Sequence, residues 1–254
     1  MPPRVLSIAA GRLVHLTWRN DQGGLTYELG TGQDRCFCKW APADGPVTLE
    51  AERLRLLWAG PWGKVPTVLG HGADAAGSWL VTSAVPGESA FSGRWKREPG
   101  TAVKAIGAGL RAFHDRLPVE SCPFSATPEV LLAELRRQAA AGKVQRATWH
   151  PSHRSLDLGQ AFTLLAAPPP VDALVVCHGD ATPPNTILDE EGRCSGHVDL
   201  GGLGVADRWS DLAIATWSVQ WNFGPGWEGA LLDAYGVGAD PERTRYYRLL
   251  WDLT

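Results

Sequence analysis

The sequence lacks the features that mark membrane-bound, disulfide-rich and nucleic-acid-binding proteins. No apolar run in its 254 residues approaches the roughly 18 that a membrane-spanning helix needs, and its first residues lack the basic-then-apolar form of a signal peptide. Its five cysteines are odd in number and form no C-x-x-C pair, which argues against a disulfide framework. The net charge of −3 comes without a basic cluster. We therefore expect a cytoplasmic protein with no nucleic-acid partner and no membrane contact.

The composition is that of an ordinary globular protein, with 44% hydrophobic and 20% charged residues. A chain of 254 residues is long enough for one large domain or for two lobes. The sequence contains no G-x-S-x-G, so a serine nucleophile has no support. It also shows no internal repeat.

The first 85 residues are predicted to be mainly β-strand. Short β-favouring runs separated by glycine and aspartate turns occupy residues 13–18, 26–29, 35–40, 68–70 and 79–83. One helix interrupts them at Val47–Trp58, where leucines recur at helical spacing before Gly60-Pro61. The turn Asn20–Gly24 could cover a phosphate, but it has no G-x-G-x-x-G, and an ordinary hairpin turn explains it almost as well.

After Val85-Pro86-Gly87 the pattern becomes helical. Helices are predicted from apolar periodicity, capping residues and prolines around residues 103–117, 130–141, 211–221 and 240–253. Residues 143–170 give no clear pattern. The sequence therefore predicts an α+β fold with a small β-rich N-lobe and a mainly helical C-lobe.

One segment of the C-lobe concentrates polar residues that can carry chemistry. It runs from Cys177 through Asp180 to Asn185 and is followed by Asp199-Leu200-Gly201. Strands are predicted at 175–177, 186–188 and 196–200, which would bring Asn185 and Asp199 to one edge with Asp180 on the preceding loop. Two oxygen ligands for a hard cation beside a lone carboxylate suit phosphoryl transfer.

Two other interpretations of this segment remain open at this point. Asp, Asn and Gly are common turn residues, so the spacing could reflect loop chemistry alone. Alternatively, His178-x-Asp180 and His197-x-Asp199 form two H-x-D pairs, and a histidine and an aspartate on one strand face suit a metal-dependent hydrolase.

Lys39 and Glu52 favour phosphoryl transfer. Phe37 and Lys39 lie two apart on a predicted strand and share a face, so a ring could lie on adenine while the ammonium reaches phosphates. Glu52 lies on the predicted helix and can hold the lysine, as in the strand-lysine to helix-glutamate pair of kinases. Glu50 competes for this role, but positions two apart on a helix face different ways.

With these residues in place, the chain resembles the aminoglycoside phosphotransferases, especially their 3′-phosphotransferase (kanamycin kinase) branch. The resemblance covers most of the chain and rests on the motifs at 175–180, 195–201 and 204–213, together with the hinge-like run at 81–87. It implies a protein-kinase-like fold in which residues 1–85 form a nucleotide-binding N-lobe. Residues 86–254 would form the catalytic and acceptor-binding C-lobe.

The resemblance also implies a role for each matching residue. Asp180 would take the proton of the acceptor hydroxyl, and Asn185 and Asp199 would hold Mg²⁺. ATP would be bound by several N-lobe and hinge residues: Lys39 on the phosphates, Glu52 positioning Lys39, Phe37 on adenine, and backbone groups of Ser83, Ala84 and Val85 at the adenine edge. The histidines of both H-x-D pairs then become structural.

The sequence departs from the family in two places. Thr182-Pro183-Pro184 replaces the usual polar run of the catalytic loop. The acceptor side has few of the family's acidic residues, which leaves Asp252, Asp157 and the C-terminal Thr254 as candidates for binding a cationic aminoglycoside.

We therefore predict an ATP- and Mg²⁺-dependent kinase of an aminoglycoside hydroxyl, acting as a monomer or weak dimer. The alternatives are a kinase of another small alcohol (a macrolide, a choline-like compound or a sugar alcohol) and a non-catalytic nucleotide-binding module.

Overall fold

A computed structural model describes residues 1–20, 22–45 and 48–254. The chain divides into two compact units. Unit 1 comprises Met1–Pro86 together with His197–Gly201, and unit 2 comprises Gly87–Gly196 and Gly202–Thr254. In the described part of the chain, no helix is both long enough and apolar enough to cross a bilayer.

Unit 1 is built on a five-stranded antiparallel sheet with the order β1-β2-β3-β5-β4. Its elements are α1 (Pro3–Ala9), β1 (Val14–Arg19), β2 (Leu25–Leu29), β3 (Cys36–Pro42), α2 (Leu49–Ala59), β4 (Val68–Ala73) and β5 (Gly77–Ser83). All five predicted strands are present, whereas helix α1 was not predicted. Part of the predicted glycine turn, Asp21, lies outside the described residues; its neighbour Asn20 accepts a hydrogen bond from the backbone of Gly24 at 2.6 Å.

The central strand β3 separates an apolar face from a polar one. Cys36 and Cys38 are buried as free thiols against Tyr27 and Leu29. Burial raises the pKa of the Cys38 thiol to about 12, which keeps it protonated and inert. Because side chains alternate along a strand, Lys39 points to the opposite face.

Helix α2 carries one carboxylate within its buried stripe. The predicted start of this helix, Val47, lies outside the described residues; the structure begins it at Leu49, with the Thr48 hydroxyl accepting a hydrogen bond at its N-terminus. Leu49, Glu52 and Leu56 are buried and recur at helical spacing. A glutamate in such a stripe is costly unless it is paired, so its partner is informative.

Unit 2 is mainly helical. Its elements are β6 (Glu88–Ser89), α3 (Gly93–Arg97), α4 (Pro99–Arg116), α5 (Pro128–Ala140), α6 (Leu158–Leu165), β7 (Leu174–Cys177), β8 (Thr186–Leu188), β9 (Cys194–His197, whose last residue belongs to unit 1), β10 (Gly204–Asp207), α7 (Trp209–Phe223), α8 (Glu228–Tyr235) and α9 (Pro241–Leu253). The four predicted helices are present as α4, α5, α7 and α9. Helices α3, α6 and α8 and strands β6 and β10 were not predicted.

The core of unit 2 forms around α4. Val103, Ile106 and Leu110 are buried along one face of this helix, as its periodicity predicts. A Cβ atom at Gly107 would lie 2.4 Å from the carbonyl oxygen of Leu231 on α8, so only glycine permits this close approach of the two helices.

Short strands of unit 2 support the polar segment. β7 pairs with β10, and β6 pairs with β8, which is followed in its sheet by β9. The predicted strand at 196–200 is wrong in its second half, because extended structure ends at His197. The reason is local: Asp199 has a φ of 65°, in the left-handed region that no strand residue adopts.

Candidate active site

Unit 1 brings Lys39, Glu52 and Asp199 together. The Nζ atom of Lys39 lies 2.8 Å from each carboxylate oxygen of Glu52 and 2.8 Å from Oδ1 of Asp199. The Lys39 and Glu52 side chains are 22% and 8% exposed, whereas that of Asp199 is 50% exposed. The lysine is therefore held from the buried side and faces an accessible carboxylate.

These contacts keep Lys39 charged. Burial by itself lowers the pKa of the ammonium, but the negative charges of Glu52 and Asp199 outweigh it and hold the pKa above its usual range. Glu50, the competing candidate, instead forms an ion pair with Arg53 on its own helix. Of the two glutamates, the structure brings Glu52 to the lysine.

The backbone at Asp199 is unusual. Its positive φ is tolerated by aspartate better than by most residues, yet it is uncommon outside glycine. Such conformations persist where the surrounding structure fixes them, often at functional sites. With one oxygen on Lys39 and half its surface exposed, the Asp199 carboxylate can also offer oxygen to a cation.

Phe37 and the hinge lie on neighbouring strands of the same sheet. Phe37 is opposite Thr82 of β5, and the guanidinium of Arg35 lies 5.5 Å from the centre of its ring. The Ser83 backbone N–H donates to Thr67 at 2.9 Å, and its hydroxyl accepts from the Thr67 N–H at 2.9 Å. Ser83 is therefore engaged within the sheet, which leaves Ala84 and Val85 as the stronger candidates for contact with a base.

Asp180 and Asn185 contact each other in unit 2. The Asn185 side-chain amide donates to the Asp180 carboxylate at 2.8 Å and to its backbone carbonyl at 3.0 Å. Asn185 is buried, whereas Asp180 is half-buried. Because the amide nitrogen is committed to Asp180, the amide oxygen is the atom that Asn185 can offer to a cation.

The two prolines between these residues fit the turn that joins them. Pro183–Asn185 form a single 3-10 turn, closed by a hydrogen bond from the Asn185 backbone N–H to the Thr182 carbonyl at 3.0 Å. Prolines are tolerated at the start of a turn, where their missing N–H groups have no partner within it. The Pro184 carbonyl accepts from the Ser89 hydroxyl at 3.1 Å, which ties the turn to β6.

Asp211 on α7 holds the backbone just before Asp180, and the sequence analysis did not single it out for this. Its carboxylate accepts from the His178 N–H at 2.6 Å and from the Gly179 N–H at 2.9 Å. It also lies 2.9 Å from Nε2 of the buried His114. Burial raises the pKa of this carboxyl, but the hydrogen bonds and nearby histidines outweigh burial and leave it below its usual range. The sequence signals for it were an aspartate in the apolar pattern of α7 and its place in the 204–213 motif.

The paired H-x-D interpretation is not supported by the geometry. His178 is fully buried, and its Nδ1 accepts from the backbone N–H of Asp180 at 3.2 Å. Among the described residues, the group of histidine, cysteine and carboxylate side chains close enough to share an ion is His114, Cys177 and Asp211, which includes neither pair.

The three candidate acceptor residues have separate surroundings. Asp157 caps α6 by accepting from the Gln160 N–H at 2.8 Å, within a reciprocal capping box. Thr254 donates its hydroxyl to a backbone carbonyl of α9. Asp252 accepts from the His150 N–H at 2.9 Å and contacts Nδ1 of His153 at 2.7 Å. The structure thus joins Asp252 to two histidines that the sequence analysis missed, about a hundred positions away.

Aromatic rings surround this aspartate–histidine group. The His150 ring lies 4.5 Å from Trp217 and 5.9 Å from Trp221, which is 47% exposed, and Trp251 lies 6.2 Å from Trp221. A cavity of about 610 Å³ is bordered by His150, His153 and Trp217. This volume falls in the range that small-molecule sites occupy.

Two features define a phosphotransferase of the kinase type: the β-sheet with its lysine–glutamate pair, and the helical unit with its Asp180–Asn185 turn. A family model described as "Phosphotransferase enzyme family" matches residues 18–247, and the chain belongs to this family. The predicted two-lobe α+β fold is thereby confirmed, and the hydrolase alternative is set aside.

Individual relatives agree with this assignment. The chain is 35% identical to the aminoglycoside 3′-phosphotransferase of Streptomyces fradiae over 93% of both chains. The crystal structure of an aminoglycoside-3′-phosphotransferase of type VIII matches with a TM-score of 0.82 at 33% identity, covering 99% of this chain and 97% of that one. An aminoglycoside phosphotransferase, APH(3'')-Id of Streptomyces rimosus, in complex with ADP and streptomycin matches with a TM-score of 0.73 at 29% identity, covering 100% and 99%.

Proposed function

We propose that this protein transfers the γ-phosphoryl group of ATP to a hydroxyl of an aminoglycoside antibiotic, at the 3′-position, and so confers resistance. The similarity to 3′-phosphotransferases over 93% of both chains supports an aminoglycoside as the acceptor. The observation that supports the chemistry most directly is the Lys39 ammonium, held by both oxygens of Glu52. A charged lysine anchored on Glu52 can bind phosphate oxygens by exchanging its contact with Asp199 for them.

On the nucleotide side, we assign Lys39 to the α- and β-phosphates, with Glu52 as its anchor. Phe37 would lie on the adenine ring from the same face of β3. Backbone groups at Ala84 and Val85, and less so Ser83, would meet the edge of the base. ADP in the related streptomycin-bound structure is consistent with a nucleotide here.

We propose that Asp199 and Asn185 would each supply an oxygen atom to a magnesium ion. The Asp199 carboxylate is accessible. The side-chain nitrogen of Asn185 donates to Asp180, so its amide oxygen is the atom that can bind a cation. Oxygen ligands of this kind suit Mg²⁺, which is usually also coordinated by several waters or by phosphate oxygens. When bound, the ion would neutralise charge that develops on the transferred group.

Asp180 would orient the acceptor hydroxyl and take its proton as the new oxygen–phosphorus bond forms and the bond to ADP breaks. The amide of Asn185 and the turn it closes would hold the carboxylate in one place. Little covalent chemistry is required of the protein, so alignment supplies much of the rate.

On the acceptor side, we keep Asp252, Thr254 and Asp157 as proposed contacts for ammonium groups. Asp252 has the strongest support, because it contacts His150 and His153, which border the cavity, although its own side chain is only 9% exposed. The exposed ring of Trp221 would add a face for a cation. Because the Asp252 carboxylate already contacts two histidines, we expect ion pairs to contribute less to acceptor binding here than they would in a site lined with several acidic residues.

The division of labour follows the lobes: residues 1–85 bind the nucleotide, and residues 86–254 carry the catalytic base and bind the acceptor. We expect the enzyme to work in the cytoplasm, where ATP is available, as a monomer or weak dimer that binds small molecules only.

A coupled ADP-release assay over a panel of aminoglycosides and other alcohols tests this proposal. We expect turnover with 3′-hydroxylated aminoglycosides and Mg²⁺, and its loss in Asp180→Ala. Asp115→Ala is the matched control, because Asp115 is exposed on α4 and forms an ion pair with the exposed Arg111. Turnover with only a macrolide or a sugar alcohol would show that this compound, and not an aminoglycoside, is the acceptor. No turnover, but a rise in melting temperature with ATP and Mg²⁺, would instead indicate a non-catalytic nucleotide-binding module.

A further inference from the structure

A buried chain of side chains connects α8 to the backbone beside Asp180. The Tyr235 hydroxyl lies 2.8 Å from Nδ1 of His114, and Nε2 of His114 lies 2.9 Å from Oδ2 of Asp211. Asp211 in turn accepts from the backbone N–H groups of His178 and Gly179. All of these polar side chains are within a few per cent of complete burial.

Each link in this chain has a defined hydrogen-bonding direction. The Asp211 carboxylate is an acceptor, because its pKa lies below the usual range and it already receives two backbone N–H groups. Nε2 of His114 must therefore carry a proton and donate it to the carboxylate. In a neutral imidazole the other nitrogen, Nδ1, is then an acceptor, and the Tyr235 hydroxyl is its donor.

Because these groups are buried, losing any one of their hydrogen bonds is costly. Burial raises the pKa of the Tyr235 hydroxyl, which keeps it protonated and able to donate. Without that donor, the Nδ1 atom of His114 would lie unpaired in an apolar core, at a cost that favours another tautomer or ring orientation. Either change would take the Nε2–H donor of His114 away from the Asp211 carboxylate. Asp211 would then hold the backbone N–H groups of His178 and Gly179 less firmly.

Close packing also restrains this backbone. Gly179 has a φ of 86°, and a Cβ atom there would lie 2.3 Å from the carbonyl oxygen of Gly202. The segment is thus fixed on one side by close backbone packing and on the other by Asp211. Asp180 is the next residue, so the backbone packing and Asp211 together determine where it lies.

We propose that Tyr235 and His114 are positioning residues for phosphoryl transfer. Tyr235 fixes the tautomer of His114, His114 orients Asp211, and Asp211 holds the 178–179 backbone so that the Asp180 carboxylate meets the acceptor hydroxyl. This inference rests on the proposed function of Asp180.

Kinetics of matched variants provide the first test. We expect His114→Leu to lower kcat about tenfold or more, since it removes a hydrogen bond to a charged group, while KM for ATP stays within about twofold. His114→Gln retains an amide donor towards Asp211 and should recover most of the rate. Tyr235→Phe should lower kcat about threefold. Tyr246→Phe is the control, because its buried hydroxyl donates to a carbonyl on α6 and not to this chain of contacts.

Two measurements on the protein without acceptor separate this inference from the proposed function. ¹⁵N NMR of His114 in the wild-type protein should show Nε2 carrying a proton and Nδ1 accepting from the Tyr235 hydroxyl, and hydrogen exchange should show protected amides at His178 and Gly179 that exchange faster in Tyr235→Phe. An Nδ1-protonated ring, or equal kcat losses in Tyr235→Phe and Tyr246→Phe, would overturn the inference. If Asp180→Ala keeps full turnover while these spectroscopic results hold, the assignment of Asp180 fails instead.

Discussion

Replacing Glu52 by glutamine tests the anchoring of Lys39. Both Glu52 oxygens lie 2.8 Å from the ammonium, and the carboxylate side chain is only 8% exposed, so solvent screens the contact little. Glutamine keeps one acceptor oxygen and turns an amide donor towards the lysine. Hydrogen bonds to charged groups contribute about 1.5–3 kcal/mol, which corresponds to a roughly 10- to 150-fold loss in kcat/KM for ATP.

The expected loss has a structural cause beyond the missing bond. Lys39 keeps its contact with Asp199 in the variant, so the ammonium should shift towards that carboxylate and compete with a cation there. We therefore expect the apparent affinity for Mg²⁺ to fall together with that for ATP. Steady-state kinetics over ATP and Mg²⁺ concentrations measure both effects.

Glu50→Gln is the matched control for this variant. Glu50 lies two positions away on α2, is 54% exposed and pairs with Arg53. Exposed ion pairs contribute about 1 kcal/mol or less, so activity should change by no more than about twofold. Equal losses in the two variants, or an unchanged kcat/KM in Glu52→Gln with normal folding, would refute the reasoning.

Further predictions concern stability and pH. Gly179→Ala should lower the free energy of unfolding by about 1–3 kcal/mol in urea titrations, because alanine meets both the left-handed backbone and the Gly202 carbonyl; an unchanged midpoint would contradict this. Leu135→Ala empties a fully buried site in unit 2 and should cost about 2–5 kcal/mol by the same measurement. Lys39 has a pKa held above its ordinary value of 10.5, burial being outweighed by two carboxylates. Its stabilising effect, taken as wild type minus Lys39→Met, should be constant from neutral pH up to that value and disappear as the pH rises through the folded-state pKa; a loss already near neutral pH would argue against the ion pair.

The sequence predicted the elements whose signals are local. The β-favouring run at residues 35–40 predicted the strand, the two-residue spacing of Phe37 and Lys39 placed both on one face, and leucine periodicity predicted the helix that carries Glu52. Their contact could be predicted because both residue types are needed at one place for one reaction. Helix α6 was missed because its signal, the Asp157 capping box, lies in a segment of mixed pattern.

Other features depend on contacts between distant residues. The end of β9 is set by the left-handed backbone of Asp199, which no residue type specifies by itself. Asp252 was predicted as a carboxylate facing a substrate, but its histidine partners become visible only when α9 and the 150–153 segment are packed together. The role of Asp211 was hidden for the same reason, since its partners are two backbone amides 32 and 33 residues earlier.

The most direct test of the central claim is to identify the product. Purified protein, ATP, Mg²⁺ and kanamycin should yield a singly phosphorylated antibiotic by mass spectrometry, with ¹H–³¹P correlation placing the phosphate on the 3′-oxygen, and Asp180→Ala should yield none. ADP release without a phosphorylated acceptor, or the same product from Asp180→Ala at the wild-type rate, would contradict the account.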